Sequence, residues 1–257
     1  MLRLVGLAKT FRTPNGRVAV ALNDVTIEVG VNEFVMLMGP NGAGKSTLFG
    51  AITGDVRLDS GSVTVLGTDI TFMPRYRRAH LVTRVHQSRE AWLPRALTAA
   101  EVLALANEEK TPYDRGNADA SEVPEAPFGR MHAYGTEQVW YLSGGEHQLL
   151  SLAVAACLVR RTRPAGHVVL LDEHVSQLDP LEKERVMLAT LELARLPGVT
   201  TMMATHDCEV AARFGTRQII MRSGRIVHDT AGGALLKEEA LNAVIRGERN
   251  AAEVVNA

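Results

Sequence analysis

Gly39-Pro40-Asn41-Gly42-Ala43-Gly44-Lys45-Ser46 is the stretch whose residue types and spacing most directly imply chemistry. It fits the pattern G-x-x-x-x-G-K-S/T, in which glycines let the backbone curl until successive N–H groups converge on one concavity. Such a concavity binds phosphate oxygens, and a helix starting at its end adds the partial positive charge of its N-terminus. Lys45 can then reach β- and γ-phosphates, Ser46 can ligate Mg2+, and Thr47 can help hold the α-phosphate. The chemistry this predicts is nucleotide binding.

A loop of this kind needs an acidic residue at the end of a neighbouring buried strand to hold the metal. His167-Val168-Val169-Leu170-Leu171-Asp172-Glu173 supplies it: Asp172 closes an apolar run, and Glu173 follows where it can polarise a water for attack on the γ-phosphate. A third segment, Leu142-Ser143-Gly144-Gly145-Glu146, opens a long amphipathic helix, and Ser143 with Glu146 forms an S-x-x-E capping box. Two adjacent glycines are costly in a first turn, and they make sense where a ligand approaches the backbone closely. That implies a second anion site, which one nucleotide cannot share with the first unless two subunits face each other.

These groups need a scaffold to present them. Residues 34–38 form a continuous apolar run before the glycine loop, as in a strand buried on both faces, and a helical pattern follows over 46–52. Residues 2–5, 18–21 and 25–29 read as short strands, with Thr13-Pro14-Asn15-Gly16 as a turn. Residues 62–66 and 81–85 read as further strands, the second ending in His86-Gln87. The middle is helical over 98–107, loop-like over 109–130 with Pro112, Pro124 and Pro127, and strongly helical over 143–160. Beyond it, strands at 168–171, 200–204, 218–221 and 226–227 alternate with helices at 180–196, 208–214 and 235–246. Alternating β and α units predict a mostly parallel sheet, so the fold class is α/β with an inserted helical part.

At 257 residues, with 46% apolar and 22% charged residues, the chain can bury a substantial core, and wholesale disorder is excluded. Basic residues number 28 against 29 acidic ones, without the basic excess that a general nucleic-acid binder uses. Arg75, Arg77, Arg78, Arg84 and Arg89 accordingly read as a solvated face, and Trp92, Trp140 and Met202-Met203 as packing. Cys157 and Cys208 lie in no metal-ligand spacing and read as small apolar side chains in a reducing compartment. The apolar stretch 149–159 has 11 residues and stops at Arg160-Arg161, short of the roughly 18 a membrane helix needs. The start, MLRLVGLAKTF, lacks a signal-peptide pattern. The expectation is a protein that stays inside the cell and meets a membrane only through a partner.

Taken in order, these segments resemble the nucleotide-binding subunit of an ATP-binding cassette (ABC) transporter, over residues 1 to 230. Phe11 stands where the family places an adenine-stacking aromatic, commonly Tyr, and residues 39–46 match its Walker A loop. Gln87 fits the glutamine loop, Leu142 to Glu146 the signature, Val168 to Asp172 with Glu173 the Walker B strand, Ser176-Gln177-Leu178-Asp179 the D-loop, and His206 the switch histidine. Asp179 precedes Pro180 and doubles as a helix cap. Two departures stand out: Glu146 occupies the place of the usual Gln, with Gln148 two residues on, and residues 160–166 form a longer surface loop.

The resemblance implies a P-loop NTPase (RecA-like) core with an N-terminal antiparallel β part, a helical subdomain over about 89–164, and a C-terminal helix and tail over 231–257. It implies a head-to-tail dimer, homomeric or heteromeric, with ATP and Mg2+ between Lys45 and Asp172 of one subunit and Ser143, Gly144 and Gly145 of the other. Gln87 would touch the metal or the attacking water. Separate permease subunits and a solute-binding protein would complete an importer of small solutes such as amino acids, with this chain on the cytoplasmic side of the membrane and no nucleic acid involved. The pairing of Leu171-Asp172-Glu173-His174 with Arg84-Val85-His86-Gln87 most resembles a poorly characterised importer group. Soluble ABC ATPases, such as those serving iron–sulfur cluster assembly, share the catalytic motifs, and the motifs alone leave that alternative open.

Overall fold

Apolar patterning and glycine punctuation resolve, in chain order, into β1 (Leu2–Arg12), β2 (Val18–Val29), β3 (Phe34–Met38) and α1 (Lys45–Thr53). Next come β4 (Ser60–Val65), β5 (Thr68–Asp69), α2 (Arg75–Arg78), β6 (Val82–Val85), α3 (Ala99–Asn107) and α4 (Gly144–Arg161). The chain closes with β7 (His167–Asp172), α5 (Pro180–Ala194), β8 (Val199–Ala204), α6 (Cys208–Phe214), β9 (Arg217–Arg222), β10 (Arg225–Asp229) and α7 (Glu238–Arg246). This computed structural model describes residues 1–12, 16–86, 93–107, 136–161, 166–231 and 234–248. Among the described residues no helix is long and apolar enough to cross a membrane.

One sheet has the order β2-β1-β4-β5 and is antiparallel throughout; the other has the order β10-β9-β3-β8-β7-β6. In the second, β9, β3, β8, β7 and β6 run parallel, and β10 adds an antiparallel edge. The parallel sheet is covered on both faces, which explains its unbroken apolar runs. Phe34, Met36 and Met38 join a core with α3, α4, α5 and α6, whereas Val35 and Leu37 join a second core with α1 and the antiparallel sheet.

Two expected strands, at 18–21 and 25–29, are one 12-residue strand, β2. Asp24 takes a positive φ of 56°, and the β1–β2 register shifts between Leu7 and Lys9, so a bulge absorbs the polar break in the alternation. The C-terminal helix begins at Glu238 rather than 235, because the backbone of Leu236 pairs with the buried side chain of Gln218. Short α2 was not anticipated, and the reading of its arginines as a solvated face fails for Arg78. Arg78 is buried, and its guanidinium donates to the carbonyls of Ala51 (2.7 Å), Ile52 (2.9 Å), Thr71 (2.9 Å) and Met73 (2.7 Å), which ties down the end of α1. Met202 and Met203 are buried as expected, but Trp140 is 61% exposed beneath the guanidinium of Arg95. Cys157 and Cys208 are free and buried, and burial pushes the Cys157 thiol up to about 11. Residues 13–15 of the expected turn Thr13-Pro14-Asn15-Gly16, the loop at 109–130 and Trp92 lie outside the described residues.

His167 starts β7, where its Nε2 lies 2.8 Å from Thr83 Oγ1, and burial lowers its pKa to about 4. Its neutral form is therefore the folded form. Below the unfolded value of about 6.5 the denatured chain binds the extra proton, so stability is complete above that pH. As pH falls from 6.5 towards 4, the slope approaches about 1.4 kcal/mol per unit. Denaturant midpoints should fall between pH 7.5 and 5, and the fall should be smaller in His167→Gln.

Candidate functional site

The glycine loop leaves β3 and enters α1 through backbone shapes that only glycine adopts cheaply. Gly39 has φ 143°, and a Cβ there would meet the carbonyl of Met221 at 2.1 Å; Gly44 has φ 109°, with the carbonyl of Ala21 at 2.3 Å. Neither neighbour can yield, since each is backbone of an adjacent strand. Gly39→Ala should therefore cost about 2–4 kcal/mol, read as a lower denaturant midpoint. Gly44 caps α1 without any side-chain hydrogen bond, so the first-turn N–H groups face the loop and suit an anion.

Lys45 is only 6% exposed, and its ammonium donates to the carbonyls of Gly39 (2.6 Å) and Pro40 (3.2 Å). Burial lowers its pKa, opposed by the charges of Glu173 and Asp172. Those carboxylates thus lie within electrostatic reach of Lys45, as the spacing along the chain could not show. Pro40, Asn41, Gly42 and Ser46 are exposed along the loop, and Thr47 is half-buried. Phe11 is 42% exposed, with the Lys9 ammonium 5.4 Å from its ring centre, and it pairs with Ala19 on β2, the strand whose Ala21 abuts Gly44.

Asp172 ends β7, and Glu173 turns the chain sharply with φ 49° while its N–H donates to the carbonyl of Ala204. A non-glycine residue in the left-handed region stores strain, and such strain gathers at functional sites. The turn brings Glu173 Oε2 to 3.5 Å from His206 Nδ1, at the end of β8. Asp207, next to His206, caps α6 and pairs with Lys183 of α5 at 2.8 Å, while Arg213 and Glu184 join the same helices. Asp179 caps α5 by accepting from the N–H groups of Leu181 and Glu182, both at 2.9 Å. Ion pairs and caps therefore tie the start of α5, at Asp179, to the start of α6, beside His206.

At the start of α4 the capping box forms: Ser143 N–H donates to Glu146 (2.8 Å), and Glu146 N–H donates to Ser143 Oγ (3.3 Å). Glu146 performs this reciprocal bond with its carboxylate, so the change from Gln leaves the turn intact. Ser143 Oγ also donates to Glu182 of α5 (3.2 Å), and a Cβ on Gly145 would meet that carboxylate at 2.8 Å. This turn thus already draws an anion from the same chain, as a helix N-terminus should. Gln87 lies outside the described residues, but its strand β6 ends where Gln148 of α4 donates to the carbonyl of His86 (3.5 Å).

Among the described residues no group of three or more His, Cys, Asp or Glu could hold a metal by itself. The Asp172 carboxylate and the Ser46 hydroxyl are nonetheless hard oxygen donors, which Mg2+ combines with phosphate oxygens and waters. Asp172 is mostly buried, with 14% of its side chain exposed, and it already attracts the cations Arg84 and Lys45. The donor set fits a cation that arrives with the nucleotide.

A profile of the family described as "ABC transporter" matches residues 22–176. The chain belongs to the ABC transporter family. Among its relatives, the tyrosine transport ATP-binding protein of Clostridioides difficile (strain R20291) is 33% identical, over 89% of this chain and 91% of that protein. The thiamine import ATP-binding protein ThiQ of Chelativorans sp. (strain BNC1) is 36% identical, over 86% of each. A bacterial ABC transporter cassette, solved as a dimer, superposes with a TM-score of 0.70 at 25% identity, over 89% of this chain and 97% of that one. This ABC cassette is an ATPase and the ATP-binding subunit of an import system.

Sequence reasoning missed three contributors to the cassette's site. Arg84, read as part of a solvated face, is 11% exposed and bonds to Asp172 at 2.5 Å. Glu182 and Lys183 fall within the stretch 180–196, which reads from sequence only as helix. Arg84 did carry a signal, a charge inside the apolar strand pattern Val82-Thr83-Arg84-Val85; the other two carried none.

Proposed function

We propose that this cassette drives uptake of a small organic solute, an amino acid such as tyrosine, by hydrolysing Mg2+-ATP in a head-to-tail dimer. The observation that carries the catalytic part is the meeting of Glu173 and His206 beside a loop whose Lys45 feels both Asp172 and Glu173. Glu173 takes the role of base for the attacking water, and His206 orients it and senses the γ-phosphate. Lys45, the loop N–H groups and Thr47 hold phosphates, Phe11 stacks on adenine, and Ser46, Asp172 and Gln87 hold Mg2+. A metal held there would neutralise negative charge on the phosphates as the reaction proceeds. Ser143, Gly144, Gly145 and Asp179 serve the partner's nucleotide, which is supported by the anion-attracting turn at Ser143 and the dimeric cassette noted above.

Amino-acid uptake is supported by the tyrosine transport relative, matched over most of its length. The cassette itself never touches the solute, so this part rests on kinship. Residues 1–230 form the ATPase domain with a helical subdomain over about 89–164, and residues 231–257 a C-terminal helix and tail. The cassette docks on permease subunits at the cytoplasmic face of the membrane, near Gln87, and a solute-binding protein delivers the cargo. Gln87→Ala should leave nucleotide affinity within about twofold of wild type while solute-loaded binding protein no longer stimulates ATP turnover in the reconstituted permease. A wild-type chain that associates with no membrane protein and works fully in solution would replace transport with an assembly role.

A further inference from the structure

The carboxylate proposed for Mg2+ is already engaged. Arg84 Nη2 lies 2.5 Å from Asp172 Oδ2, and both side chains are mostly buried. On its other side Arg84 Nη1 lies 3.8 Å from Asp55 Oδ2, in the segment that follows α1. Asp55 is held in turn by Arg75 (3.0 Å) and by the hydroxyl of Thr53 (2.7 Å). Charges of alternating sign therefore run from Arg75 on the surface through Asp55 and Arg84 to Asp172. The Arg84 guanidinium packs 5.9 Å from the ring centre of Phe49 in α1, and its Nε is buried without a partner among the described residues.

A desolvated guanidinium needs a carboxylate, and this one has two within reach. A divalent cation at Asp172 meets Arg84 as a like charge and as a competitor for the same oxygen. Asp55 offers the guanidinium a second seat without return to water. We propose that Arg84 is a positioning residue of the metal site, holding Asp172 as its resident counter-cation and transferring to Asp55 when a divalent cation takes the carboxylate. This rests on the reading of Asp172 as the metal carboxylate. Its consequence is a deliberately lowered metal affinity, which eases release of the metal with spent nucleotide.

The test uses the full chain loaded with ADP, titrated with Mn2+ and read by the electron paramagnetic resonance of free Mn2+. Nucleotide binding in EDTA is measured in parallel. Arg84→Met should bind Mn2+ about tenfold more tightly, the effect of removing one partly screened charge at close range. Asp55→Asn should bind it about threefold more weakly, because Arg84 then rests wholly on Asp172. In the double variant the Asp55 effect should vanish, since Asp55 acts through Arg84. Arg84→Lys, which keeps the charge but not the two-sided reach, should fall between wild type and Arg84→Met, and it stands in if Arg84→Met does not fold. Unchanged or weaker Mn2+ binding in both Arg84 variants, or an Asp55→Asn effect that persists without Arg84, overturns the proposal. Asp172→Asn separates the two layers: if it leaves Mn2+ affinity unchanged, the metal assignment fails, whereas if it abolishes binding while the Arg84 variants do nothing, only the role of Arg84 fails.

Discussion

Glu173→Gln should bind ATP with near wild-type affinity yet hydrolyse it about a hundredfold more slowly or worse, accumulating an ATP-loaded dimer. The amide keeps the size of the side chain and its place at the left-handed turn, where φ is 49°. What disappears is the negative charge 3.5 Å from His206 that would orient and deprotonate the attacking water. Loss of that charge also removes repulsion of the γ-phosphate, so the closed state gains stability while chemistry stalls. Phosphate release in the steady state, with size-exclusion chromatography in ATP, reads both effects. Turnover near the wild-type rate would remove Glu173 from the catalytic role.

Ser143→Arg should leave nucleotide binding to the monomer intact and abolish ATP-driven dimerisation, with turnover falling by about a hundredfold. Ser143 touches Glu146 and Glu182, so its own-subunit partners are the capping box and α5. An arginine there fills the approach that a partner's γ-phosphate would take, and it forms a salt bridge with Glu182 that reinforces the block. Light scattering with and without ATP, beside equilibrium binding of a fluorescent nucleotide, distinguishes the outcomes. Loss of nucleotide binding by the monomer would place the signature turn in the same subunit's site and overturn the composite arrangement.

Most of the architecture is legible along the chain, because a sheet buried on both faces demands unbroken apolar runs. Residues 34–38 and β3 coincide, and the run before Asp172 is β7. The phosphate loop is legible for a similar local reason: the positive φ at Gly39 and Gly44 permits hardly any other residue. Capping at Ser143 and Asp179 is likewise local, since each donor lies within three residues of its acceptor. The bulge at Asp24 escaped because a polar residue interrupting an apolar alternation looks the same whether a strand ends or kinks.

Types and short spacings thus determined, from sequence alone, a glycine loop between strand and helix, a strand-end acid pair, a capped glycine turn and the α/β scaffold that carries them. Only the tertiary structure decided what each charge faces. Arg78 is an anchor for the end of α1 and Arg84 the partner of Asp172, although both sit among arginines that read as solvent-facing. Residues 84 and 172 lie 88 positions apart, as do no helix or hairpin neighbours, and they meet because β6 pairs with β7 in parallel register. A desolvated ion pair depends on which strands are adjacent and which faces are covered, and those are properties of the assembled sheet rather than of any local run of residues.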